Sequence, residues 1–111
     1  MDTRHLSLSD RVICHVREQY GIPMEKVLTM LPTFITVLQN HMRSLEQVLE
    51  ESDLEAIGKA GHGLKGALLN LGLTEFAALA ERIEKEGKAG NQDTDYGGLV
   101  AALREKLEEI L

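Results

Sequence analysis

The residues with the most chemical capacity sit together in one stretch, Gly58-Lys-Ala-Gly-His-Gly-Leu-Lys-Gly66. His62 offers a nitrogen nucleophile. An ordinary imidazole titrates near pH 6.5, so a large neutral fraction exists around neutrality without an activating base. Lys65 lies three residues later, and on a helix an ammonium at that spacing reaches past the imidazole edge. A cation there would stabilise the charge of a transferring phosphoryl group. The pair suits acceptance of a phosphoryl group on an exposed histidine.

Four glycines, Gly58, Gly61, Gly63 and Gly66, surround that pair. Each costs a helix interior roughly 0.8–1 kcal/mol relative to alanine, or about 3–4 kcal/mol together. At roughly 100° per residue, Ile57, Ala60, Leu64, Leu68 and Leu71 form one apolar stripe, and His62 points about 160° away from its centre. None of the four glycines is expected on the core face. Their missing Cβ atoms would instead bare the imidazole and let another protein's backbone approach. A merely solvated histidine would leave both the glycines and Lys65 unexplained, and a loop is opposed by the leucine spacing through Leu71. Gly61–Gly66 also matches G-x-G-x-x-G, but that dinucleotide fingerprint needs a preceding strand and a βαβ unit. The helical pattern of Leu54–Lys59 supplies neither.

Apolar residues recur at helical spacing through most of the chain, with no alternating stretch to suggest a strand. A short first helix is predicted from about Leu8 to Glu18, capped by Ser7 or Ser9, with Leu8, Val12 and Val16 along one face. Tyr20–Pro23 ends it. The second and longest helix is predicted from about Met24 to Glu50, with Leu28, Leu31, Ile35, Leu38, Met42, Leu45 and Leu49 forming a heptad seam. Pro32 should kink it, and Ser52-Asp53 closes it and caps the next helix. The glycine-bearing helix runs from about Leu54 to Asn70 and ends at Gly72. A fourth spans Thr74 to about Glu86, with Phe76, Leu79, Ala80 and Ile83 inward. Gly87–Asp95 reads as a loop, and a last helix from about Tyr96 carries Leu99, Leu103, Leu107 and Ile110. The expected architecture is all-α: an antiparallel up-and-down four-helix bundle with a short additional N-terminal helix, one domain over residues 1–111.

Bulk properties narrow the function classes. The 111 residues suffice for one core. Hydrophobic residues make up 43 %, charged residues 27 % and aromatics only 4 %, so the core must be aliphatic. The net charge of −6 comes with no Lys/Arg cluster, which disfavours nucleic acid and anionic membranes as partners. Cys14 is the only cysteine, so no intrachain disulfide or thiolate metal cage is available. The opening MDTRHLSLSD has no apolar core of a signal peptide. A cytoplasmic, monomeric protein without a metal site is the expectation, and its start at Met1 fits a free-standing chain.

His62-Gly-Leu-Lys65-Gly66, with Gly72 six residues on, resembles the motif of the histidine-containing phosphotransfer (HPt) domains. The likeness extends to the long preceding helix, the Glu50–Asp53 turn, and the Glu81-Arg-Ile-Glu84 helix ending near Gly87. It implies a phosphorelay intermediate of two-component signalling. His62 Nε2 would accept a phosphoryl group from the aspartate of a response-regulator receiver domain and pass it to another receiver, possession of a kinase activity of its own not being implied. Lys65 would sit on the phosphoryl oxygens and Gly66 would make room for the receiver. The receiver would bring Mg²⁺, so the chain would need no cofactor of its own. A hybrid histidine kinase is a further implied partner. Ala67 and Leu68 stand where small hydroxyl residues often come after the motif. Glu84 stands where some members place a glutamine that holds the histidine Nδ1–H; a carboxylate there would orient the ring and raise its basicity, or else be a solvated surface group.

Other candidates are ancillary. Gly58, Lys59, Gly63, Leu69 and Phe34 are candidates for partner contact, although Phe34 could equally be core. His41 succeeds Val27 and Phe34 at seven-residue spacing and reads as a residue on the flank of the seam. His5, Cys14 and His15 have no metal-ligand spacing. The rival reading is a helical adaptor that binds a receiver or kinase and is never phosphorylated. An autophosphorylating kinase would need an ATP-binding α/β domain, for which a chain of helices has no room.

Overall fold

The computed structural model describes residues 7–111, and the elements within them are all helices: α1 (Leu8–Tyr20), α2 (Met24–Glu51), α3 (Leu54–Asn70), α4 (Thr74–Lys88) and α5 (Tyr96–Leu107). Neighbours in the chain pack against one another from α1 to α4, α4 meets α5, and α5 returns to α2. Helices α2–α5 thus close an up-and-down bundle, and α1 crosses onto α2 at 116°. Among the described residues no single helix is long and apolar enough to cross a membrane.

Local chemistry sets the boundaries. The Ser7 hydroxyl accepts from the Asp10 amide at the start of α1, and Asp53 accepts from the Ala56 amide at the start of α3. Gly72, at φ 75°, terminates α3 as expected. Its amide donates to the Leu69 carbonyl and the Leu73 amide donates to the Leu68 carbonyl, while the Leu68 and Leu73 side chains are both fully buried. That is a Schellman motif with its apolar contact.

Two expectations about the helices need correction. Helix α4 does not stop at Glu86. It runs through Gly87 to Lys88, and Gly90 at φ 70° is the terminating glycine, with Asn91 donating to the Glu86 carbonyl. Helix α2 carries Pro32 inside one helical element, and it is the helix's seam that differs from expectation. Its seam is buried at Leu38, Met42 and Leu45, but Leu31, Ile35 and Leu49 are only partly covered and Leu28 is 50 % exposed. Val27 is buried instead. The reason is length: α2 has 28 residues and its neighbour α3 has 17, so the first turns of α2 outrun the bundle and turn a different face to α1.

The core is aliphatic, as composition demands, and Ile57, Leu64, Leu68 and Leu71 of α3 lie in it. Ala60 is only half-buried. On α5 the inward face is Tyr96, Val100, Leu103 and Leu107, with Ile110 beyond its end and Leu99 partly covered.

Candidate functional site

Helix α3 presents His62 to solvent, with 64 % of its side chain exposed, while Leu64 beside it is fully buried. The histidine is held from the neighbouring helix. Glu84 of α4 lies beneath it, 7 % exposed, with Oε2 2.6 Å from His62 Nδ1. The same carboxylate receives Lys65 Nζ on Oε1 at 2.7 Å and Lys88 Nζ on Oε2 at 2.8 Å. One buried carboxylate therefore gathers an imidazole and two ammonium groups.

The two lysines, Lys65 first and Lys88 next, pull the Glu84 carboxyl down to about 2 from its ordinary 4.5, with His62 adding to the effect and burial opposing it. Glu84 in turn raises Lys65 above its ordinary range. An ionised carboxylate can only accept hydrogen bonds. The proton between it and the ring therefore belongs to Nδ1, and in the neutral imidazole the lone pair lies on Nε2. Glu84 is thus buried and hydrogen-bonded to the ring, and the fold does not leave it as a solvated surface glutamate.

Lys65 departs from the simplest expectation. Its ammonium is engaged with Glu84 and its side chain is only 24 % exposed. It lies at the Nδ1 side of the cluster. Lys88 is a member that the sequence alone leaves out, because Gly87–Asp95 reads as loop. A signal for it does exist: Glu84 and Lys88 stand at i,i+4 in the favourable order on one helix.

The glycines divide into two kinds. Gly58 and Gly61 are buried, contrary to the expectation that none would face the core. A Cβ built on Gly61 would lie 2.9 Å from the Glu84 amide nitrogen, and one on Gly58 would lie 2.9 Å from the Lys88 amide nitrogen. Gly87 of α4 answers them from the other side, where an added Cβ would lie 2.8 Å from Gly58 Cα. These residues allow two helix backbones to touch. Gly58 is therefore an internal contact and not a partner-facing one. Gly63 is half-exposed and lies against the His41 ring, which a Cβ would approach to 3.1 Å. Only Gly66 keeps the predicted character: it is exposed and an added Cβ would meet nothing within 4 Å.

The remaining candidates are scattered in role. Lys59 is exposed and reaches Glu55 one turn back at 3.5 Å. Leu69 is 46 % exposed, on the same side of α3 as His62 by helical spacing. Phe34 packs on the core while only partly buried. His41 is half-buried on the α2 flank. Cys14 is exposed, His15 packs on Gly72, and His5 lies outside the described residues. Among the described residues no group of three or more His, Cys, Asp or Glu side chains is placed to hold a metal ion.

Comparison with known proteins finds similarity over most of the chain. The family model described as Hpt domain matches residues 29–111. The phosphorelay intermediate protein YPD1 of Candida albicans is 31 % identical over 65 residues, 59 % of this chain and 35 % of that protein. The similarity therefore spans about a third of that relative's length. No solved structure matches the chain.

Proposed function

The chain belongs to the Hpt domain family, and from that membership we propose that it is a phosphorelay intermediate whose phosphoryl acceptor is His62. The observation that carries the assignment is the hydrogen bond from His62 Nδ1 to the ionised Glu84, on a ring that is otherwise mostly solvent-exposed. It fixes one tautomer and leaves Nε2 as the nucleophile. The lone pair of Nε2 attacks the phosphorus of an aspartyl phosphate on a receiver domain. The N–P bond forms, the P–O bond to the aspartate breaks, and the aspartate leaves as a carboxylate. The ring keeps its Nδ1 proton, and the positive charge it gains faces Glu84. Attack by a second receiver's aspartate on the same phosphorus reverses these steps.

Lys65 and Lys88 supply the surrounding positive charge. Lys65 can exchange its contact with Glu84 for a phosphoryl oxygen as the ring becomes cationic. Gly66 leaves space for the receiver, and the exposed Leu69 offers it apolar contact. A divalent cation and the acidic pocket that holds it would come with the receiver. The protein acts as a carrier without kinase activity of its own, as a cytoplasmic monomer serving receivers and a hybrid kinase.

The test is to mix the protein with a phosphorylated receiver and track the label. An acid-labile, base-stable label on wild type that is lost in His62→Gln is the expected result. Absence of label with every receiver of the source organism, or label retained in His62→Gln, would overturn the assignment. The former outcome would leave a non-phosphorylated adaptor.

A further inference from the structure

We infer that the glycine seam between α3 and α4, centred on Gly61, is a positioning element for phosphoryl transfer: it seats Glu84 where its carboxylate can hold the Nδ1 proton of His62. The inference rests on the role proposed for His62. It begins from a coincidence of contacts. Both α4 residues whose side chains enter the site, Glu84 and Lys88, also touch the seam with their backbones, alongside Ala80 and Gly87. Glu84 presents its amide nitrogen 2.9 Å from where a Gly61 Cβ would be, and Lys88 presents its own 2.9 Å from a Gly58 Cβ.

These neighbours cannot give way as a side chain would. Ala80 and Glu84 carbonyl oxygens also lie within 3.2 Å of the two positions, and Gly87 closes the seam against Gly58 and the Leu54 carbonyl. An added methyl must move α4 as a body, because the contacts are backbone atoms within a hydrogen-bonded helix. Glu84 would move with it. The carboxylate already spans from a buried backbone to an exposed ring at 2.6 Å, with its other oxygen committed to Lys65. Withdrawal of α4 would open that bond, free the Nδ1 proton to exchange onto Nε2, and deprive transfer of its oriented lone pair. Gly66 is the internal contrast, since it shares the helix and meets nothing.

The experiment uses the full chain with isotope-labelled histidine and reads the His62 tautomer by NMR at a pH where the ring is neutral, with no receiver present. Wild type and Gly66→Ala should show a single Nδ1–H tautomer with its proton hydrogen-bonded. Gly61→Ala should show mixed tautomers, as should Glu84→Ala. Transfer from a phosphorylated receiver should slow about 10- to 100-fold in Gly61→Ala, the scale expected for a reacting group misplaced by about 1 Å. Because Gly61 acts through Glu84, the double variant Gly61→Ala/Glu84→Ala should be no slower than Glu84→Ala alone. A retained Nδ1–H tautomer in Gly61→Ala, or losses that multiply in the double variant, would overturn the inference. Should Gly61→Ala fail to fold, Gly58→Ala is read the same way; if neither folds, the seam serves the fold alone and the positioning role is wrong. The tautomer is measured without any receiver, so an unlabelled His62 would refute the proposed function by a separate result.

Discussion

Glu84 concentrates the electrostatics of this molecule, since one nearly buried carboxylate faces His62, Lys65 and Lys88. Its carboxyl is lowered to about 2 from an ordinary 4.5, so the folded state favours the ionised form. That contribution to stability is full above pH 4.5 and is lost as pH falls through about 2. The urea midpoints of wild type and Glu84→Gln should therefore differ by a constant amount above pH 4.5 and converge toward pH 2. A gap that persists unchanged at pH 2 would show that the carboxylate's charge is not what the fold uses. Gly66 tests access at the same scale. It is helical and open, so Gly66→Ala should stabilise the protein by about 0.5–1 kcal/mol and slow phosphoryl transfer. Unchanged or faster transfer in that variant would show that close approach at Gly66 is not required.

At the scale of elements, α3 answers two demands along one helix. Its leucines and Ile57 hold the bundle, while its glycines serve backbone contact at Gly58 and Gly61 and open surface at Gly66. The same substitution should thus have opposite signs along one helix. Alanine at Gly66 gains helix propensity, whereas alanine at Gly61 meets backbone at 2.9 Å and loses stability despite its propensity. The turn into α3 carries the one non-glycine residue at positive φ among the described residues, Ser52 at 57°. Ser52→Gly removes that strain and should raise stability by about 1 kcal/mol in denaturant titration. No gain would mean that Ser52 makes a compensating interaction.

Across the whole molecule, packing and not ion pairing carries the stability. Leu64 is fully buried two residues from His62, and Leu64→Ala should cost about 2–5 kcal/mol through lost burial and the cavity left behind. Arg104 makes a two-pronged contact with Glu46, at 2.6 and 2.5 Å, that ties α5 to α2. Both side chains are substantially exposed, so Arg104→Ala should cost less than about 1 kcal/mol and less still at high salt. Equal losses from the two variants, measured by chemical unfolding, would reverse this ranking. At the far end α1 is fastened by Arg11 to Glu75 at 2.5 Å and by the Leu8 amide to the Glu109 carboxylate at 2.9 Å.

Local signals suffice for most helix boundaries and for the histidine. Apolar spacing, capping side chains and the glycine after α3 act over a few residues, and they place Leu54–Asn70 to the residue. His62 stands out because its exposure is set by the helical period alone. The meeting of α4 with α3 is a different matter. Period and propensity cannot report that two backbones touch, so in the sequence Gly58 and Gly61 read as solvent-facing and Gly87 as loop. The same contact makes Glu84 the buried partner of His62 instead of a surface candidate, and brings Lys88 in beside it. A carboxylate at that depth is stable only where several donors converge on it, and their convergence is a property of how helices meet.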